Sequence, residues 1–133
     1  MIITPVALRT FLAAQTPLTA ITGDRLWAAA TNPPAGYKPA MGPGIAFNGR
    51  GGSLGYENVI VTESTQFKCY AANALATLEL YGVLVDVLHD RSGGAVRHAE
   101  LESTGYVLQE PETGWFFALT YFSILYGSGL GRQ

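Results

Sequence analysis

The most regular pattern of apolar and polar positions runs from Val59 to Leu88. Thr65, Phe67, Cys69 and Ala71 alternate with Gln66, Lys68 and Tyr70, the period of a half-buried strand. Asn73 then offers an N-cap oxygen. Ala74, Leu78, Tyr81, Val85 and Leu88 recur at helical spacing, which predicts an amphipathic helix stopped by Gly93 and Gly94. A strand feeding directly into a helix is therefore expected as the scaffold of the domain.

Upstream, Thr4-Pro5 reads as a cap residue followed by proline at the first helical position, with Val6, Leu8, Phe11 and Leu12 on one apolar face. Thr16-Pro17 restarts the chain as a short helical turn through Leu18 and Ile21, ended by Gly23. Asp24 to Ala30 reads as a short strand carrying Leu26 and Trp27, and Ile45 to Phe47 as another. Thr31 to Gly44 holds Pro33, Pro34, Pro39 and Pro43 with Gly36, Gly42 and Gly44, a density no regular element survives. Structureless connections beyond about 12 residues are functional or disordered, so Tyr37 and Met41 become candidate exposed apolar contacts. Asn48 to Gly55, with glycines at 49, 51, 52 and 55, is expected to be a second irregular segment.

Downstream, Val96 to Gln109 reads as a strand with a bulge at Gly105, and Glu110 to Gly114 as a turn. Trp115 to Tyr126 is a long strand with two apolar faces. Trp115, Phe117, Leu119, Tyr121 and Leu125 share one face; Phe116, Ala118, Phe122, Ile124 and Tyr126 share the other. Such a strand must be covered on both sides, by helices on one and by loops or another subunit on the other. The order of elements predicts an α+β fold: a mostly antiparallel sheet with two main helices packed on one face and long Pro/Gly-rich loops. Residues 1–126 form the expected single domain and 127–133 a flexible tail.

Composition sharpens this picture in one respect. Only 14% of the 133 residues are charged, against a usual ~25%, and the mean hydropathy is +0.19. Some apolar surface is thus expected to serve a partner. The net charge is -2 and the eight basic residues are scattered, which argues against tight nucleic-acid binding through phosphates. The single cysteine, Cys69, reads as a small buried apolar residue. No apolar run reaches the ~18 residues of a membrane span, and no leader-like pattern predicts secretion.

Candidate chemistry is sparse. The run Gly49-Arg50-Gly51-Gly52-Ser53-Leu54-Gly55 precedes a strand rather than a helix N-terminus, so it reads as a hairpin or arm and not as a phosphate loop. His89, at a helix end, and His98, on a strand, have no zinc-like spacing with Cys69. Glu100, Glu102, Glu110 and Glu112 surround the last hairpin, where a solvated strand face explains them better than acid–base work. No Gly-x-Ser-x-Gly elbow is present. No catalytic residue, cofactor site or metal site is expected.

The helix ending in Leu18-Thr19-Ala20-Ile21-Thr22-Gly23-Asp24-Arg25-Leu26 leads into a proline-rich segment and the strand Gly44-Ile45-Ala46-Phe47. Phe67-Lys68-Cys69-Tyr70-Ala71 into Asn73-Ala74-Leu75 and a late strand pair follow. This order resembles the tail terminator (tail completion) proteins of long-tailed bacteriophages, most sharply at Gly23-Asp24-Arg25-Leu26. The glycine-rich run at Asn48 to Gly55 and the aromatic final strand depart from that pattern. The resemblance implies a non-enzymatic virion protein, assembled in the host cytoplasm as a ring, expected to be a hexamer. The ring caps the head-proximal end of the tail tube in the neck. Its partners would be the tail tube protein and the head-completion or connector protein, with genomic DNA passing through the lumen without specific binding. On this view Tyr37, Met41, Arg50, Leu54, Tyr56, Tyr121 and Tyr126 are candidate inter-subunit or partner contacts. Glu100 and Glu102 are candidate lumen residues, and Gln66, Lys68 and Tyr70 face a neighbour or the lumen. The rival readings are another neck ring protein, such as a stopper, and a small ligand-binding or enzymatic domain using the acidic hairpin.

Overall fold

A computed structural model of the chain describes residues 2–54 and 60–127, without the side chains of 52–54. Three helices and five strands follow one another as α1 (Thr4–Ala13), α2 (Thr16–Thr22), β1 (Leu26–Ala28), β2 (Gly44–Leu54), β3 (Ile60–Ala71), α3 (Ala74–Leu88), β4 (Val96–Gln109) and β5 (Phe116–Gly127). A single 3-10 turn, Pro39–Met41, interrupts the proline-rich loop. The strands form one sheet in the order β1-β2-β3-β5-β4, antiparallel throughout except for the parallel pair β1 and β2. The fold is α+β, as the order of elements predicts.

Local chemistry explains most boundaries. Pro5 and Pro17 sit in the first turns of α1 and α2, where a missing N–H breaks no helical bond. The caps themselves are Ile3 and Gln15, without side-chain bonds, so Thr4 and Thr16 begin the helices rather than cap them. Gly23 leaves α2 with φ of 59°, a left-handed position open to glycine. At α3, Asn73 Oδ1 accepts the Ala76 N–H at 2.8 Å. Asn73→Ala is expected to lower stability by about 1 kcal/mol, read as a reduced urea midpoint with unchanged m.

The helices lie on one face of the sheet. Ile45, Phe47, Phe67, Cys69, Ala118, Phe122, Ile124 and Tyr126 from the strands meet Leu8, Phe11, Leu12, Leu18, Leu80, Leu84 and Leu88 from the helices. The centre of this layer is aromatic. Phe67 stacks on Phe47 with ring centroids 5.7 Å apart and meets Phe122 edge-on at 5.4 Å.

Several expectations are corrected. Asn48 to Leu54 is not irregular but continues β2, paired with β3. The register shifts between Gly49 and Gly52, and Gly51 adopts φ of 102°. The glycines thus serve a bulge within a ladder instead of breaking it. Gly49 also lies under the Glu63 carboxylate, where a Cβ would come within 2.6 Å of its oxygen. Helix α3 keeps its expected span but is rotated: Thr77, Leu80, Leu84, Val87 and Leu88 are buried, whereas Leu78 and Leu75 are exposed. Val6 likewise points outward. Gly127 closes β5 against Ile60, and the rest of the expected tail, 128–133, lies outside the described residues.

Candidate functional site

The face of the sheet away from the helices holds most of the candidate residues. On this face Tyr70 pairs with Phe117, Lys68 with Leu119, Gln66 with Tyr121 and Ser64 with Ser123. Two quite different coverings share it.

At one end the proline-rich loop folds back over the sheet. Tyr37 is its anchor, 5% exposed, with its ring 4.7 Å from Trp27, 5.8 Å from Trp115 and 6.4 Å from Tyr70, all edge-on. Its hydroxyl donates to Gly42 O at 2.7 Å. Tyr70 in turn stacks on Phe117 and donates its hydroxyl to Glu110 Oε2 at 2.8 Å. Arg25 ties the loop's far end: Nε donates to Pro43 O at 2.8 Å, and its guanidinium lies against Gly42, leaving no room for a Cβ there. Lys68 adds a bond to Asn32 Oδ1 at 3.2 Å. Between this loop and the Glu110–Glu112 turn runs a groove of about 470 Å³, lined by Asn32, Pro34, Tyr37, Glu110, Glu112 and Trp115.

At the other end the sheet has no roof among the described residues, and charged side chains cross it. Arg50 on β2 donates to Ser64 Oγ at 3.0 and 3.3 Å. Ser64 on β3 donates to Glu102 Oε1 at 2.6 Å, and Glu102 on β4 lies 3.7 Å from Arg50. The guanidinium also rests 4.0 Å from the centre of the Tyr121 ring on β5. Three strands are thus linked by one chain of polar contacts, and Arg50 adds β5 by covering the Tyr121 ring. The ion pair is about half-exposed, so its stabilising effect stays below about 1 kcal/mol. Glu100 stands apart from this network, 3.4 Å from His98 Nε2.

Strand β4 forms one edge of the sheet, and α3 blunts part of it. Asp90 N–H donates to Ala99 O at 2.7 Å, Leu101 N–H to His89 Nδ1 at 3.0 Å, and Gly105 N–H to Tyr81 Oη at 2.8 Å. Such capping keeps an edge from pairing indiscriminately. Beyond Gly105, Tyr106 and Leu108 are 53% and 38% exposed.

Burial raises the phenols of Tyr37, Tyr70 and Tyr126. It pushes the Tyr70 phenol up, and the Glu110 carboxylate beside it, by accepting the hydroxyl proton and by its charge, pushes further. Burial also raises Tyr126, helped by Glu63 and opposed by Thr65, although neither Tyr126 Oη nor Thr65 Oγ1 closes a hydrogen bond among the described residues. Burial raises Tyr37 against the opposing Arg25 charge. In each case the unfolded chain gives up the proton at lower pH than the folded one. The stability they hold is complete below about pH 10 and falls as pH rises above it. Alkaline titration should therefore show cooperative loss of structure setting in above about pH 10, and Tyr70→Phe should flatten that slope. Burial likewise raises the Cys69 thiol, which keeps it protonated and inert.

Of the expected contact residues, the structure brings Arg50 and Tyr121 together with Glu102 and leaves Met41 exposed. Tyr37 and Tyr126 are corrections. Tyr37 turns inward onto the sheet, and Tyr126 falls on the helix-facing side of β5, fully buried. Tyr70 is buried under the loop, so it faces no neighbour, whereas Gln66 and Lys68 remain partly exposed. Tyr56 and the side chain of Leu54 lie outside the described residues. The aromatic cluster around Tyr37 and the exposed pair Tyr106 and Leu108 were not singled out by sequence pattern. The first needs the loop's path, and the second follows only once β4 is known to be an edge. The chain matches no family model and no curated protein.

Proposed function

We propose that this chain is a structural ring subunit of a phage tail neck, a tail terminator that caps the tail tube and joins it to the head connector. The resemblance in element order is its starting point, and the α+β architecture agrees with that order. The observation that carries the reading furthest is the unroofed sheet face. A cross-strand network of Arg50, Ser64, Glu102 and Tyr121 crosses it, and further along β4, opposite Leu119 and Phe117, Tyr106 and Leu108 expose apolar surface. A head-to-tail ring needs two different patches per subunit. The β4 end supplies one; the loop carrying Met41 supplies a surface for the other. Glu100 and Glu102 on the same face are the proposed lumen residues.

The test is the assembly state of the purified chain, by light scattering and negative-stain imaging, with and without tail tubes. Rings are expected, and Tyr106→Asp combined with Leu108→Asp should disperse them while leaving the monomer folded. A chain that stays monomeric even with tubes present overturns the reading. Deleting the gene should give over-long tails without heads, whereas normal-length tails favour the stopper. Charge reversal at Glu100 and Glu102 that leaves genome passage unchanged overturns the lumen assignment. The groove beside Glu110 and Glu112 favours the ligand-binding alternative, and saturable small-molecule binding there by a monomer would support it.

A further inference from the structure

We propose that Asp90, His98 and Glu100 bind one divalent transition-metal ion of the zinc class. The three residues come from two rigid elements. Asp90 follows the end of α3 and is tied to β4 by its N–H bond to Ala99 O at 2.7 Å. His98 and Glu100 are alternate residues of β4 and project from one face of it. His98 Nε2 lies 3.6 Å from Asp90 Oδ1 and 3.4 Å from Glu100 Oε1, and one ligand atom from each residue falls within 4.8 Å of the others.

Those spacings match a metal polyhedron. A tetrahedral zinc ion with bonds of about 2.0–2.1 Å holds its ligands about 3.4 Å apart. Both separations from the imidazole nitrogen are already close to that value, and the exposed carboxylates can rotate to close the third. The charges also argue for a cation. Two carboxylates converge on one imidazole nitrogen, which can offer at most one hydrogen between them, so their negative charges face each other across it. A dication balances both and accepts the nitrogen lone pair. One imidazole with two carboxylates favours zinc, nickel or cobalt over magnesium and calcium, which take all-oxygen sets.

The neighbouring histidine has a different part. His89 Nδ1 accepts the Leu101 N–H, so the proton of its neutral ring sits on Nε2. That nitrogen is 3.5 Å from Asp90 Oδ2. His89 is therefore not a ligand: its Nδ1 is committed to the Leu101 N–H, and its Nε2 faces Asp90 Oδ2, while Oδ1 is the oxygen that approaches His98. Water is free to complete the coordination, since all three ligand side chains are partly exposed.

Calorimetric titration of the untagged full chain with Zn²⁺ tests the site. One ion per chain is expected, with Co²⁺ giving the intense visible absorption of a four-coordinate centre. His98→Ala should weaken Zn²⁺ binding at least about ten-fold, and Glu100→Gln and Asp90→Asn should weaken it too. Affinity should fall as pH is lowered, because the metal must displace the Nε2 proton. Circular dichroism checks that each variant is folded; if His98→Ala is not, the exposed Glu100→Gln gives the same readout. Absence of saturable Zn²⁺ binding overturns the proposal. So does binding that these variants leave unchanged, or Mg²⁺ binding as tight as Zn²⁺.

Discussion

Phe67→Ala is expected to lower the unfolding free energy by about 3–5 kcal/mol, a large share of the 5–15 kcal/mol that holds a domain of this size. Phe67 is fully buried at the middle of β3, in contact with Phe47 on β2 and Phe122 on β5. Both neighbours belong to strands whose ladders with β3 are unbroken around Phe67, so the sheet cannot close around the missing ring. Most of its volume would remain as a cavity, and cavity volume is what separates costly truncations from mild ones. Urea unfolding followed by circular dichroism measures the loss. Phe67→Leu refills much of the space and should recover a large part of it. A loss under about 1 kcal/mol for the alanine variant would show that the aromatic layer is not the centre of the core.

Much of this layer was legible in the sequence because it depends on local period. The alternation of Phe67, Cys69 and Ala71 fixes which side of β3 is buried, and Asn73 fixes where α3 begins. The buried face of α3 was not legible. Leu75, Leu78, Leu80, Tyr81, Val83, Leu84, Val85, Val87 and Leu88 surround the helix almost completely, so period alone selects no stripe. Contact with β3, β4 and β5 makes the selection, and it leaves Leu75 and Leu78 outside. The glycine run of β2 misleads for another reason. Composition cannot distinguish a bulge inside a paired strand from a loop, since both need residues that tolerate positive φ.

The candidate surface divides along the same line. That β5 must be covered on both faces followed from its two apolar sets. What covers it did not. Whether an aromatic residue in a proline-rich loop points inward depends on the loop's path, and Tyr37 points in while Met41, four residues on, points out. The meeting of Arg50, Ser64 and Glu102 requires β5 to lie between β3 and β4, an order no segment of sequence states. Even the segment that carries the resemblance has roles in building the fold. Gly23 turns the chain, Arg25 holds Pro43 O, and Leu26 enters the core.

The loop anchor offers the second large effect, and one that links stability to assembly. Tyr37→Ala removes a buried ring and its bond to Gly42 O, a change that costs about 3–5 kcal/mol where the structure cannot relax. Here it can relax in one way, by releasing the loop from the sheet. The helix-side core lies on the opposite face and does not include Tyr37, so global unfolding is not required. The expected result is local undocking within a folded domain. The chain's two tryptophans, Trp27 and Trp115, both flank Tyr37, so intrinsic fluorescence reports this event directly. Emission should shift to the red as water reaches both indoles, while far-ultraviolet circular dichroism stays unchanged. Tyr37→Phe keeps the ring and removes the hydroxyl alone, so it should cost about 0.5–1.5 kcal/mol and leave emission in place. If the loop bearing Met41 is one of the two ring patches, Tyr37→Ala should also abolish ring formation in a still-folded chain. Emission that does not move in Tyr37→Ala would mean that Arg25 and the prolines hold the loop without its aromatic anchor.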